Sequence, residues 1–451
     1  MAVGSAAAFL LVRYYGNGLA APTRAASVAA AVVTTSPPPD VLLRVLLALL
    51  SVVVLGRLFG VLLRALGQPP VIGELVAGIV LGPSLLGRIA PVASAYLLPP
   101  AAAPYLSLVA QFGVVLYMFL VGLELNGDLL RDKAHATFVT SHASIVAPFI
   151  LGATLALYLY PRLSTSDVLF VDFSLFIGVA MSITAFPVLA RILTDRGMSR
   201  TPLGAVALAC AAAGDVTAWC LLALVVGIAK GTLQAALWSI AFTGAFIAAM
   251  FLVVRPTIER LVARSDGRAP RVGVLALALV GLALSALATE WTGVHAIFGA
   301  FVFGAVIPHD SALARTLTTR LHGFVSLVLL PAFFAFTGMR TQIGLVSGGA
   351  LWMIAVVIIV VATAGKFGGT LLAARASGMG WRQASMLGIL MNTRGLMEII
   401  VLTIGLDLGI ISPTLFAMMV LMALATTIMT TPLLALLERG APTQPTRRLT
   451  P

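Results

Sequence analysis

The chain has 451 residues, of which 60% are hydrophobic and only 10% are charged, and its mean hydropathy is +1.08. Soluble domains carry about 25% charged residues, so this composition excludes a soluble globular protein and indicates a polytopic membrane protein. The formal net charge of +12 does not indicate nucleic-acid binding, because the basic residues stand singly between apolar segments instead of clustering on one face.

The first forty residues differ from the rest of the chain. They are rich in Ala and Val but are interrupted by Arg13, Asn17, Arg24 and a Ser-Pro-Pro-Pro run. A secretory signal normally starts with a basic region, which this segment lacks. Two interpretations of residues 1–40 stay open: a cleaved or mis-started leader, and an additional, weakly apolar helix.

About thirteen apolar segments follow, each long enough or nearly long enough to span the ~30 Å of hydrocarbon in a bilayer. Short loops connect them, which predicts an all-α transmembrane domain over residues 41–437 and a disordered cytoplasmic tail over 438–451. The segments cover residues 41–63, 71–90, 106–126, 138–160, 169–193, 203–228, 235–254, 272–289, 294–308, 323–339, 350–374, 384–406 and 413–437.

Charge predicts the orientation of these segments. With the N-terminus outside, nineteen Lys and Arg residues fall in inside loops and four in outside loops, as the positive-inside bias requires. We therefore predict a cytoplasmic C-terminus, and the Ala/Val/Arg-rich composition favours a bacterial inner membrane. Cys210 and Cys220 lie about 15 Å apart along one predicted helix, too far for a disulfide.

Two segments carry helix breakers and polar residues at matching depths. Proline frees backbone carbonyls, and a membrane tolerates irregular backbone only where it lines a cavity or is buried in protein. Because the fifth and twelfth segments cross in opposite directions, they predict an inverted repeat with two broken, crossing helices around a transport site; the alternative is two kinked packing helices. The interrupting residues are Ser182, Thr184 and Pro187 in the fifth segment, and Asn392, Thr393, Arg394, Gly395 and Glu398 in the twelfth.

Asp215 lies in the middle of the sixth apolar segment, AACAAAGDVTAWCLLALVV. A carboxylate at the bilayer centre costs about 2.5–3.5 kcal/mol on insertion scales, so it marks a path for ions or protons. We predict that Asp215, Thr184 and Ser182 supply oxygen ligands to a monovalent cation. A single carboxylate that binds either a proton or a cation is the minimal exchanger. The sequence shows no Walker loop, metal cluster or catalytic triad, so neither an enzyme nor a cofactor is predicted.

Seven motifs resemble the monovalent cation:proton antiporters of the Kef/NapA-like type, including plant cation/H⁺ exchangers. The resemblance covers about residues 41–437 and implies an NhaA/NapA-like fold, with core helices over about 138–228 and 350–437 and the remainder as scaffold. It also implies a homodimer that works by elevator-like alternating access. The motifs are GQPPVIGELVAGIVLGPSLLG, FLVGLEL, TAFPVLARILTDRG, DVTAWCLLALVV, HAIFGAFVFGAVIP, LLPAFFAFTGMRTQIG and LMNTRGLMEIIVLTIGLDLGIISPTLFAMMVLMAL.

The resemblance also implies roles for individual residues. Asp215 matches the ion-binding aspartate of the family, Thr184 the position beside it, and Lys366 the basic residue of the helix before the second break. The second crossing is matched by Asn392, Thr393, Arg394 and Glu398.

The chain departs from the family at Gly214, where many relatives carry an acidic residue, Asn or Gln. With one carboxylate left, we predict electroneutral exchange of one proton for one cation. Lys366 also loses a counter-charge, so it releases its proton or pairs with Glu398 or Asp215. Kef-type relatives often append a nucleotide-binding regulatory domain, and none is expected here.

Three other interpretations of the sequence stay open. A proton-driven exporter of a larger cation or an ionophore-like metabolite would need a wider, more aromatic cavity, and only 8% of the residues are aromatic. An ion-binding sensor without transport is the second. A channel is the third, and it is disfavoured because no TVGYG-like filter element is present. Glu74, in the second segment, is interpreted as a gate or as an acid favoured by the N-terminal dipole of its helix.

Overall fold

The structure, a computed structural model, describes residues 2–22, 41–68, 70–99, 102–124, 134–198, 201–229, 233–263, 270–291 and 296–439. These residues contain helices and no strands, which confirms the all-α class. The helices are α1 (Ala2–Gly16), α2 (Val41–Ala65), α3 (Pro70–Leu81), α4 (Leu86–Ile89), α5 (Pro91–Leu97), α6 (Ala103–Glu124), α7 (Ala134–Leu163), α8 (Phe170–Ser182), α9 (Phe186–Asp195), α10 (Pro202–Ala229), α11 (Leu233–Ala249), α12 (Arg255–Ala263), α13 (Val272–Trp291), α14 (Ala296–Val306), α15 (Ala312–Phe324), α16 (Leu330–Arg340), α17 (Gly348–Thr363), α18 (Gly369–Ala376), α19 (Trp381–Met391), α20 (Leu396–Asp407) and α21 (Pro413–Arg439).

Three pairs of these helices are joined by a single π-helical turn. The turns are Met250–Val254 between α11 and α12, Val325–Leu329 between α15 and α16, and Ala364–Gly368 between α17 and α18. Such turns are rare and occur frequently at functional sites. The third turn contains Lys366, one of the predicted site residues.

Nine helical spans within the described residues are long and apolar enough to cross a membrane. The two broken helices are not among them, because each of their halves is short. Shorter apolar helices include α8 and α14. The protein is a multi-pass membrane protein, while the number of thirteen crossings stays a prediction.

The helices pack in two groups. In one group α2 packs on α3, α3 on α16, and α6 on α14 and α16. In the other, α7 packs on α8, α10 and α18, and α21 packs on α17, α19 and α20. The division into scaffold and core helices and any relative motion of the two groups stay predictions.

The first described helix, α1, packs on α7 and α8 of the second group. The rings of Phe9 and Phe149 lie 5.9 Å apart, and Val12 is buried in the main apolar core. Whether residues 1–40 are a leader or an additional helix stays open, and residues 440–451 of the predicted tail lie outside the described part.

Candidate ion-binding site

The first broken helix consists of α8 and α9. Helix α8 ends at Ser182, Ile183 has an extended backbone, and α9 begins at Phe186. Pro187 is the second residue of α9, where its missing N–H costs nothing. Its ring would clash with the carbonyl of Ile183 in a continuous helix, so the chain breaks just before it, as the sequence predicted.

The second broken helix consists of α19 and α20, and it breaks without a proline. Helix α19 ends at Met391, the next four residues are not helical, and Leu396 begins α20. The backbone of Arg394 at the break is bound from outside the helix, because its N–H donates to Thr427 Oγ1 over 3.1 Å and its carbonyl accepts from the same hydroxyl.

The two breaks contact each other directly. The backbone N–H of Ala185 donates to the carbonyl of Thr393 over 3.0 Å. The hydroxyl of Thr184 donates to the carbonyl of Met391 over 3.1 Å. Each bond satisfies a backbone group that an unbroken helix would have satisfied internally. Residues 184 and 393, more than two hundred positions apart in the sequence, therefore meet as the crossing-helix prediction requires.

Two cationic side chains donate hydrogen bonds to the free carbonyl groups at the end of α8. Arg394 donates to the carbonyls of Ala180 and Met181 over 3.3 and 2.7 Å, and Lys366 donates to the carbonyl of Ser182. The last carbonyls of a helix lack intrahelical donors and form the negative end of its dipole. Arg394 and Lys366 therefore replace the missing donors and neutralise this end of the helix inside the bundle.

Arg394 also forms an ion pair with Glu398 one turn later in the chain, over 3.1 Å. Both side chains are completely buried. Glu398 lies in the first turn of α20, where the helix dipole favours an acidic side chain. Glu398 thus interacts favourably with the N-terminus of α20, and Arg394 with the last carbonyls of α8.

Lys366 forms neither of the two predicted ion pairs, with Glu398 or with Asp215. Its ammonium donates to the carbonyls of Ser144, over 2.9 Å, and Ser182, and it forms no salt bridge with any described carboxylate. Asp215 and Glu398 are still close enough for their charges to act on it. Backbone carbonyls of α7 and α8 thus hold Lys366 between the two carboxylates.

Close packing of the π-helical turn on α7 sets the position of Lys366. A Cβ atom on Gly365 would lie 2.8 Å from the Cα of Pro148, a separation that real Cβ atoms avoid. Only glycine allows the turn to approach the backbone of α7 this closely, and this approach brings the ammonium of Lys366 within reach of the Ser144 carbonyl.

We expect Gly365→Ala to lower the free energy of unfolding by about 1–3 kcal/mol, because overpacking forces the two backbones apart. The matched control is Gly368→Ala in the same turn, where an added Cβ meets no atom within 4 Å. That variant should be as stable as the parent protein. Denaturation of both purified variants in detergent, followed by tryptophan fluorescence, measures the difference; equal stabilities would contradict the packing argument.

Asp215 lies in the middle of α10, and only 1% of its surface is exposed. Neither carboxylate oxygen accepts a hydrogen bond from any described residue. Helix α10 packs on α8, α9 and α19, so it contacts both broken helices. An ionised carboxylate without hydrogen-bond donors costs several kcal/mol in a protein interior. Binding a proton or a cation removes this cost by neutralising the charge.

Gly214, immediately before Asp215, is buried and has free space beside it. A Cβ atom built on Gly214 meets no atom within 4 Å. The fold therefore does not require glycine at position 214 for steric reasons. The space next to Asp215 can hold the side chain of another residue, or water and a cation.

The remaining predicted site residues differ in what they contact. The hydroxyl of Ser182 lies 2.7 Å from the carbonyl of Gly178 and 3.0 Å from that of Ile145, so its hydrogen is held by backbone. Thr184 is held by Met391 as described above. Asn392 is 5% exposed, and its Oδ1 has no partner among the described residues. The roles of Ser182 and Thr184 as cation ligands stay predictions.

Comparison with known proteins agrees with this geometry. Residues 45–436 match the sequence profile of the family described as "Sodium/hydrogen exchanger, transmembrane". The chain belongs to the sodium/hydrogen exchanger family. Members of this family are transporters, so the predicted resemblance, and the prediction of a transporter instead of an enzyme, are confirmed.

The exchanger is similar over most of its length to several named proteins. It is 43% identical to the Na(+)/H(+) antiporter NhaS4 of Synechocystis over 87% of this chain and 96% of that protein. It is 40% identical to the cation/H(+) antiporter 20 of Arabidopsis thaliana and 34% identical to the K(+)/H(+) antiporter 1 of Saccharomyces cerevisiae. These matches cover 84% and 81% of this chain, but only 47% and 43% of the plant and yeast proteins.

A solved structure shares the fold of the exchanger. The sodium proton antiporter MjNhaP1 from Methanocaldococcus jannaschii, solved at pH 8, superposes with a TM-score of 0.66. The match covers 89% of this chain and 99% of that chain at 17% identity. The likeness concerns the fold alone, and it confirms the predicted antiporter-type architecture.

Sequence reasoning missed two residues that contribute to the site of the exchanger. Ser144 supplies a carbonyl to Lys366, and Thr427 holds the backbone of Arg394. The unusual Thr-Thr pairs of α21 were a usable signal for Thr427. Ser144 acts through its backbone, which no side-chain motif reveals.

The position of Glu74 does not fit its interpretation as an acid at the N-terminus of a helix. It is the fifth residue of α3, beyond the first turn, and is buried beside Gly56 of α2. Dipole effects fade after the first turn, so the N-terminal interpretation loses its basis. Arg57 is the nearby cation whose charge acts on Glu74.

Proposed function

We propose that the protein exchanges a monovalent cation for a proton across the membrane, with Asp215 binding one or the other. The observation that carries this proposal is the buried carboxylate of Asp215, which accepts no hydrogen bond from the described residues. It lies in a helix that packs on both broken helices. Family membership supports monovalent cation/proton antiport in general.

Competition at Asp215 explains the coupling. A buried carboxylate without donors is stabilised by any single positive charge that reaches it. A proton and a monovalent cation carry the same charge, and binding either one removes the need for the other. Because Asp215 is neutralised only by a bound proton or a bound cation, the site moves across the membrane with one of these two ions bound in each direction. The fluxes of protons and cations are therefore coupled.

The movement that carries the site is proposed to be a displacement of one helix group against the other. Helices α7–α10 and α17–α21 of the second group hold the site, while α16 packs on both α3 and α6 in the first group. We propose that the first group forms the scaffold of a homodimer, that the N-terminus lies outside, and that the membrane is a bacterial inner membrane.

The decisive experiment uses purified protein in sealed liposomes with an acid interior and a pH dye. K⁺, Na⁺, Li⁺ or choline is added outside, because the names of the relatives include both Na⁺/H⁺ and K⁺/H⁺ antiporters. We expect an inorganic monovalent cation to release protons and choline to be inactive. The external cation concentration for half-maximal rate should rise as the pH falls, since protons compete for the same carboxylate. No proton release by any cation, from protein shown to be folded, would refute the proposal.

The single site carboxylate predicts an electroneutral cycle, and Gly214→Asp tests it. The added side chain has free space and brings a second negative charge beside Asp215. We expect the parent protein to ignore a voltage clamped by an ionophore, and the variant to become voltage-sensitive because its second carboxylate lets two protons exchange for one cation. Gly214→Asn is the control of equal size. A voltage-sensitive parent protein would contradict electroneutrality.

A further inference from the structure

A groove of about 460 Å³ runs along the outer side of α19 and α21, away from Asp215. Volumes of this size are typical of ligand sites. One wall comes from α17 and its π-helical turn, through Thr363 and Phe367. The groove does not belong to the ion site, although Asn392 of the second break lies at its inner end. The other two walls are lined mainly by Ser385 and Ile389 of α19 with Asn392 just after it, and by Met429, Leu433 and Leu436 of α21.

The groove has the length of one membrane leaflet. Ser385, Ile389 and Asn392 lie on one face of α19, and Trp381, one turn earlier, begins the same face. Helix α21 runs beside α19, since the guanidinium of Arg382 donates to the carbonyl of Leu437 over 3.0 Å. The groove-lining residues of α21 run from Thr426 to Leu437, a rise of about 16 Å, roughly half of the hydrocarbon thickness. The groove therefore reaches from the membrane surface to the break.

The wall of the groove is apolar and open to the lipid side. Leu433 and Leu436 are 41% and 64% exposed. The hydroxyls of Thr426 and Thr430, which also line it, donate to carbonyls of their own helix over 2.9 and 3.0 Å. Hydrocarbon can cover Thr426 and Thr430 without leaving their hydroxyls unsatisfied, whereas Thr363 Oγ1 and Asn392 Oδ1, which also line the groove, have no partner among the described residues.

The mouth of the groove carries an aromatic and cationic cluster. Trp381 is 65% exposed, and the guanidinium of Arg375 lies 4.5 Å from the centre of its ring. Arg382 is exposed beside it and uses Nε and Nη2 on the carbonyls of Leu437 and Glu438. Tryptophan at this depth is typical of the membrane interface, and arginine is suited to phosphate.

We propose that this groove binds an anionic phospholipid, with one acyl chain along α19 and α21 and its phosphate on Arg382. The membrane surface concerned is the one that the arginine distribution predicts to be cytoplasmic. A soluble ligand would not need the interfacial tryptophan or the lateral opening past Leu433 and Leu436. The acyl chain holds α19 and α21 together just below the break at Asn392, where the backbone lacks helical hydrogen bonds.

The test is lipid binding to the purified, delipidated full-length protein by native mass spectrometry. Phosphatidylglycerol and phosphatidylcholine with identical chains serve as probes. We expect the parent protein to bind phosphatidylglycerol more tightly than phosphatidylcholine. Arg382→Gln should weaken the binding of phosphatidylglycerol about fivefold, the usual contribution of one surface arginine to anionic lipid binding. Ser385→Trp should remove both lipids, because the ring fills the groove while Arg382 stays in place.

Two control variants separate the groove from general lipid contact. Arg320→Gln removes an exposed arginine on α15, and Val356→Trp adds a tryptophan to the exposed face of α17; neither should change binding. Equal binding of the two lipids, unchanged binding in Ser385→Trp, or displacement of the lipid by inorganic phosphate alone would overturn the proposal. Because binding is measured without transport, this result is independent of the proposed exchange activity.

Discussion

The Asp215→Asn variant is expected to lose cation-driven proton movement completely while becoming more stable than the parent protein. The amide has the shape of the carboxylate, but it takes up no proton in this pH range and has no negative charge that a proton or cation would neutralise. A charged carboxylate inside the membrane costs about 2.5–3.5 kcal/mol, and this cost disappears with the charge. The expected pair of results, loss of function with a rise in the melting temperature, distinguishes a transport site from a structural residue.

Two measurements check this prediction. The liposome assay reports proton release on addition of K⁺ or Na⁺, and a thermal melt in detergent reports stability. The difference in melting temperature should be larger at pH 9 than at pH 5, because a protonated Asp215 is as neutral as the asparagine. Exchange retained in Asp215→Asn, or an unchanged melting temperature at high pH, would contradict the proposed role.

The control is Asp407→Asn, the same chemical change outside the site. Asp407 is 47% exposed and pairs with Arg340 over 2.6 Å. An exposed ion pair contributes at most about 1 kcal/mol, so this variant should keep its exchange activity and lose little stability. A loss of exchange in both variants would indicate a general defect of asparagine substitution.

The buried charges around the break bear on the proposed electroneutral cycle. Lys366, Arg394, Glu398 and Asp215 are each at most 1% exposed. With Lys366 protonated and Asp215 ionised, these four charges sum to zero, and a bound proton or cation adds one positive charge in either case. We propose that the loaded site therefore carries the same charge in both directions, so that membrane voltage favours neither direction of net exchange.

The sequence predicted where the helices break but not what satisfies the breaks. Pro187 and the Asn-Thr-Arg-Gly run interrupt helices through local chemistry, and local chemistry is visible in a sequence. The donors that bind the end of α8 come from Arg394 and Lys366, roughly two hundred residues away. Which carbonyls they reach depends on how α8 packs, and periodicity gives no information on that.

Lys366 shows the same limit in more detail. Its burial was predictable from its place in an apolar segment, and its place near Asp215 was implied by the family resemblance. Its bonds to the backbones of α7 and α8 were not, because they need the π-helical turn at Ala364–Gly368 and the close approach of Gly365 to Pro148. A pairing argument from charge alone favours carboxylates and overlooks backbone carbonyls.

Arg394→Gln is expected to destabilise the protein more than Glu398→Gln does. The arginine is bound to Glu398 and to the carbonyls of Ala180 and Met181. Removing it breaks a buried ion pair, which costs about 3–5 kcal/mol, and leaves the end of α8 without donors. Glu398→Gln keeps an oxygen that can accept from Arg394, so it should cost about 1–3 kcal/mol.

The double variant Arg394→Gln/Glu398→Gln separates the ion pair from the helix cap. We expect it to be more stable than Arg394→Gln, because no unpaired buried carboxylate remains, and less stable than Glu398→Gln, because the carbonyls of α8 still lack donors. The variants are compared by chemical denaturation in the same detergent. If the double variant matched Glu398→Gln, the bonds of Arg394 to α8 would contribute nothing, and the ion pair alone would explain its burial.

An exposed pair with the same spacing provides the matched control. Arg255 and Glu259 are also four residues apart and bridge over 2.8 Å, but both are about half exposed. Exposed pairs with this spacing contribute about 0.3–0.5 kcal/mol, so Arg255→Gln should scarcely change the stability. A comparable loss in Arg255→Gln would mean that burial and the α8 carbonyls are irrelevant. The expected contrast instead makes Arg394 a residue that joins the two broken helices through its side chain, since it binds the last carbonyls of α8 and an acidic residue in the first turn of α20.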